Sequence, residues 1–149
     1  MSPNFSSALL KQDLDSVPRP TVLPTGTAYS GVITKYEYRK TGGASPQDIL
    51  TYHVKLTAWS PEIDDGEKLD GTGKPINLAS RPCRMDYFIE SESGAYELAK
   101  MLKALGLKGA VEEAIPMAVG AQVTARGEQK FLEKTNDTVF NLKALTAAQ

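Results

Sequence analysis

Residues 50–60, LTYHVKLTAWS, alternate strictly: Leu50, Tyr52, Val54, Leu56 and Ala58 fall on one side, and Thr51, His53, Lys55, Thr57 and Trp59 on the other. A period of two marks a strand with one face in the core and one in water. The water-facing side carries the only histidine and the only tryptophan of the chain, and an outward tryptophan marks a surface built for contact. A longer strand precedes it, from about residue 27 to residue 39, with Val32, Thr34, Tyr36 and Tyr38 on one face and Ile33, Lys35, Glu37 and Arg39 on the other. Gly31 sits where that pattern drifts and predicts a bulge or bend. The polar stretch 41–47, TGGASPQ, joins the two strands as a hairpin.

A third strand, residues 81–90, sets Cys83, Met85, Tyr87 and Ile89 against Arg84, Asp86, Phe88 and Glu90. Ser91 or Ser93 then caps a helix that runs to Leu105 and stops at Gly106, with Leu98, Met101, Leu102 and Leu105 at helical spacing. That stripe is core packing. A second helical piece, 110–117, is expected to break at Pro116. Ala121, Val123 and Ala125 alternate with Gln122, Thr124 and Arg126 as a fourth strand, and 127–137, GEQKFLEKTND, reads as a charged hairpin tip. A fifth strand, 139–145, points Phe140, Leu142 and Ala144 inward. The expected class is therefore mainly β, in the order β-β-β-α-β-β, the layout of a five-stranded OB-fold-like barrel with a helix plugging one end. A five-stranded sheet with a helix packed on it has the same order.

Two segments lie outside this pattern. Residues 1–24 contain Pro3, Pro18, Pro20 and Pro24 around one short amphipathic piece, Phe5, Leu9, Leu10 and Leu14. They predict an N-terminal arm whose brief helix is too short to stand alone, so its apolar residues pack on the domain, 25–149, or dock on another subunit. Residues 61–80 form an acidic, Gly-rich loop with Asp64, Asp65, Glu67 and Asp70. The spacing is not that of an EF-hand, and the loop is read as solvated, with no metal and no cofactor expected.

Composition narrows the function classes. The 149 residues, 41% of them hydrophobic, suit one domain. Seventeen basic and eighteen acidic residues give a net charge of −1, so a polyanion can be held only by a local patch. Cys83 is alone, which excludes an intramolecular disulfide and fits a reducing cytoplasm. No apolar run is long enough to span a bilayer and no secretion signal is evident, so a soluble, unprocessed protein without membrane partners is expected. One histidine in mid-strand, with no GxSxG, Walker A or HExxH spacing, argues against an enzyme.

LPTGTAYSGVITKYEY, TYHVKLTAWS, RMDYFI with its following helix ending in ALGL, and EAIPMAVGAQVTA together resemble a broad group of small tailed-phage proteins. Several of that group are identified as OB-fold single-stranded DNA-binding proteins of replication modules. The resemblance covers about residues 18–145 and implies sequence-independent binding of single-stranded DNA in phage replication or recombination, in the cytoplasm of an infected cell. The residues suited to it are those of the outward faces: Lys35, Arg39, His53, Lys55, Trp59, Arg84 and Phe88, extended by Arg126, Asn141 and Lys143. Aromatic faces stack bases and cations track phosphates. Members of such families often end in an acidic recruiting tail; LKALTAAQ is not one. The alternative is a phage virion component, such as a capsid decoration protein, with Phe5, Leu9, Leu10 and Leu14 as the anchor to capsid partners. Either role accommodates a homo-oligomer.

Overall fold

In the computed structural model, which describes residues 21–148, the alternating stretch forms β2, Asp48–Ala58, and the longer strand before it forms β1, Gly26–Lys40. The remaining elements are β3 (Cys83–Phe88), α1 (Glu92–Ala104), α2 (Val111–Met117), β4 (Gln122–Leu132) and β5 (Asp137–Ala147). All five strands belong to one antiparallel sheet in the order β3-β2-β1-β4-β5. The outer strands β3 and β5 approach each other, but no ladder joins them and the sheet stays open. The arm expected from Phe5, Leu9, Leu10 and Leu14 lies outside the described residues.

The core follows from period two in the strands and the stripe on α1. Leu50, Tyr52, Val54 and Leu56 are buried on one face of β2 and meet Leu98, Met101 and Leu102 of α1 in one cluster. Ser91 caps α1 by accepting from Gly94 N at 3.0 Å, and Gly106, at φ 82°, turns the chain where a side chain would be strained. Tyr52 is fully buried, so its hydroxyl needs a partner; it donates to the Ile115 carbonyl at 2.9 Å and ties the sheet to α2.

Several expected details are corrected. Pro116 does not break the second helix but lies within it. A proline forfeits only its own bond to the residue four earlier, and its fixed φ is helical, so at the sixth of seven positions it costs little. In β1, Ile33 pairs with Val54 and Lys35 with His53, leaving Thr34 as an extra residue. Tyr36 and Tyr38 therefore lie opposite Tyr52 and Leu50, on the same side as Ile33 and not across from it. An irregularity does occur at Ser30/Gly31, but the extra residue there is Thr57 of β2. The charged tip is shorter than expected because β4 runs on to Leu132, and Asn136 closes the turn at φ 55°. Lys143 is an extra residue between the pairs Gly127↔Leu142 and Arg126↔Ala144, so Leu145, not Ala144, follows Leu142 into the core.

Residues 61–80 are more than a solvated loop: Ile63, Ile76 and Leu78 are buried in the core. Asp70 accepts from Thr72 N (2.8 Å), Thr72 Oγ1 (2.6 Å) and Lys74 N (3.1 Å), which closes a turn and lowers its pKa. Glu62 anchors the start of the segment to β1, accepting from Thr27 N at 2.5 Å, Thr27 Oγ1 at 2.9 Å and the Ser60 hydroxyl. Led by the Ser60 bond, these donors hold the carboxyl at about 2, below the ordinary 4.5. A depressed carboxylate stabilises the fold above its unfolded value and loses that contribution as pH falls toward its folded value. Glu62→Gln should therefore lower the thermal midpoint relative to the parent at neutral pH, with the gap closing between pH 4.5 and about 2. A gap that is constant across that range would show that Glu62 contributes nothing as a charge.

Candidate nucleic-acid interface

The outward side of β1, β2 and β3 is a grid fixed by register. One row is Lys35, His53 and Arg84; the next is Glu37, Thr51 and Asp86; the third is Arg39, Ile49 and Phe88. Lys55, opposite Val32, begins a fourth row beyond the end of β3.

The acids of the middle row engage two side chains of the patch. Arg39 Nη2 lies 3.2 Å from Asp86 Oδ1, and its Nε donates to Thr51 Oγ1 at 3.0 Å; Thr51 in turn donates to Asp86 at 2.6 Å. Thr51 is fully buried beneath this pair. His53 Nε2 and Glu37 Oε1 are 2.9 Å apart, and that bond is the main reason the Glu37 carboxyl sits below its ordinary pKa. Arg39 and His53 are thus committed to acids of their own face. Among the described residues, Lys35, Lys55 and Arg84 have no ion-pair partner within 4 Å, and all three are exposed.

Lys35 and Lys55 border a groove, and Arg84 lies beside it, opposite His53. Lys35, His53 and Lys55 line one part of it with Thr34, Ala79 and Arg81; Lys55, Thr57 and Trp59 line the next with Asn77 and Ala79. The two parts meet at Lys55 and Ala79. Trp59 is not where alternation puts it: the extra residue Thr57 reverses parity, and β2 ends one residue earlier. Its ring is half-buried, 6.1 Å from the Tyr29 ring, and lines the groove from the core side. Phe88 is 45% exposed at the opposite end of the grid, separated from the groove by the ion-pair row.

The last strands do not extend this patch. Arg126 and Lys143 line a separate cleft at the open seam between β3 and β5, together with Lys100 and Glu97 of α1. Asn141, opposite Glu128, is exposed and belongs to neither cleft. Arg81 is the lining cation that sequence reasoning missed: the strand expected from residue 81 begins only at Cys83, and Arg81 donates to the Thr21 carbonyl from the bend before it. The chain matches no protein-family model and no curated protein. No helix among the described residues is long and apolar enough to cross a membrane.

Proposed function

We propose that the protein binds single-stranded DNA without sequence preference, in phage replication or recombination, through the groove bordered by Lys35, His53, Lys55 and Trp59, with Arg84 beside it on the same face. The sheet order β3-β2-β1-β4-β5 with facing outer strands suits an OB-type barrel whose last ladder is not formed. The observation that carries the reading is electrostatic. Asp86 is paired with Arg39 and Glu37 is hydrogen-bonded to His53, and Lys35, Lys55 and Arg84 have no ion-pair partner within 4 Å, which leaves them available to phosphate. A flexible single strand can follow such a groove with its bases free to stack, whereas a duplex is stiff and keeps its bases paired inside. The Trp59 ring supplies a surface for one base at the groove end.

Titration with a fluorescent oligo-dT and with the matching duplex, at low and moderate salt, tests this. Single-strand binding that weakens with salt and changes Trp59 emission is expected. Equal affinity for the duplex, or no binding at low salt, would overturn it.

A further inference from the structure

β1 is longer than the strand that covers one of its edges. β4 pairs with it from Gly26 to Val32, and the residues just before β4 add Gly120 N to Ile33 O at 2.7 Å and Ile33 N to Ala121 O at 3.0 Å. Over residues 34–40, β1 keeps β2 on one side and, among the described residues, has no strand on the other. That limb pairs with β2 in unbroken register from Lys35↔His53 to Lys40↔Asp48, and just beyond it Thr41 N donates to Gln47 O at 2.9 Å. Bonded residues alternate in an antiparallel ladder. Lys35, Glu37 and Arg39 therefore share the orientation of Thr41 toward β2, and Tyr36, Tyr38 and Lys40 turn their N–H and C=O groups to the open edge.

An edge of this kind is a template for another strand. No proline and no bulge interrupts residues 35–40. Tyr36 and Tyr38 stand beside the edge, 37% and 56% exposed, with their rings edge to face at 5.9 Å.

We infer that this edge pairs with the same edge of a second copy of the chain, antiparallel, about a dyad at Tyr38. Register selects that axis. A dyad at Glu37 would set Glu37 against Glu37 of the second copy, and Lys35 against its Arg39. A dyad at Tyr36 would run the second strand onto Ile33, whose backbone groups are already taken. A dyad at Tyr38 places Glu37 opposite Arg39 on both sides of the axis, Tyr38 against Tyr38 and Tyr36 against Lys40, all within the free limb. Opposite charges facing across strands are favourable and like charges are not. The contact is isologous and closes as a dimer.

Sedimentation of the full chain and oxidative cross-linking test the arrangement. The parent should sediment as a dimer. Tyr38→Pro removes an edge donor that does not serve β2 and should give a monomer with an unchanged far-UV spectrum. Across the proposed axis the two Cα atoms at position 38 stand about 5.5 Å apart, within disulfide reach. Tyr38→Cys should thus cross-link to a covalent dimer, while Tyr36→Cys should not; Cys83 is buried and does not compete. A monomeric parent, a Tyr38→Pro variant that stays dimeric, or cross-linking at position 36 and not at 38 would each overturn the proposal. If Tyr38→Pro fails to fold, the two cysteine variants still decide it.

Discussion

Reversing Lys35, Lys55 and Arg84 together to glutamate is expected to weaken oligo-dT binding about 100-fold near 0.1 M salt and to flatten its salt dependence by about 2 units of log–log slope. The magnitude follows from counterion release. Each phosphate contact on a single strand contributes a slope of about 0.7, so three contacts amount to about two decades of affinity between 1 M and 0.1 M salt. Reversal adds repulsion to that loss. The same change in net charge placed elsewhere, by converting Lys103, Lys108 and Lys130, should leave the slope nearly intact, because local cations and not the total charge hold the strand. An equal loss in both triple variants would mean that the protein's overall field, rather than the groove, governs binding.

The ion-pair row gives a sharper discrimination within the same face. Arg39 is spent on Asp86 and Thr51, so Arg39→Ala should cost stability of about 1–2 kcal/mol, an exposed pair being worth less than a buried one. Its effect on oligo-dT affinity should stay within about threefold. Trp59 behaves in the opposite sense to a free platform: because its ring packs against Tyr29, truncating it should lower both stability and affinity. Trp59→Phe, which keeps a ring in that space, separates the two effects.

Alternation made the inward faces of β2 and β3 legible, since Leu50, Tyr52, Val54 and Leu56, and then Cys83 and Tyr87, are buried as the pattern requires. The helical stripe of α1 was equally readable through Leu98, Met101 and Leu102. What alternation could not locate were single extra residues. Thr34, Thr57 and Lys143 each reverse the parity of everything beyond them. None is a glycine or proline that would announce itself. Thr57 moved Trp59 from the wet face to the core side, and Thr34 brought Tyr36 and Tyr38 to the side of Ile33. The partners of the acids were hidden for a different reason. Glu37 and Asp86 share the outward faces with the cations, but which side chains they meet depends on cross-strand register, which one strand's pattern does not contain. The contribution of Ile63, Ile76 and Leu78 was hidden because isolated apolar residues in a Gly-rich segment have no period to read.

Gly127→Ala should destabilise the fold by about 1–3 kcal/mol, the usual cost of forcing a methyl into a packed site. Gly127 is buried on the inward side of β4, and a β-carbon there would collide with the Phe140 ring. That ring cannot simply swing aside, because it also packs edge-on against Tyr29 with centroids 5.5 Å apart. Tyr29 is itself fixed, fully buried with its hydroxyl donating to the Pro24 carbonyl at 2.6 Å. The register irregularity between Arg126 and Gly127 falls at the same place, so the strand bends where the ring crosses it. Urea denaturation of Gly127→Ala, Phe140→Leu and the double variant measures the coupling. If the ring over the glycine is the cause, Phe140→Leu makes room for the methyl and the double variant is more stable than the sum of the two losses implies. Strict additivity would instead assign the cost to backbone conformation at Gly127, and the contact between the fourth and fifth strands would then owe nothing to the fit of Phe140 over a bare backbone.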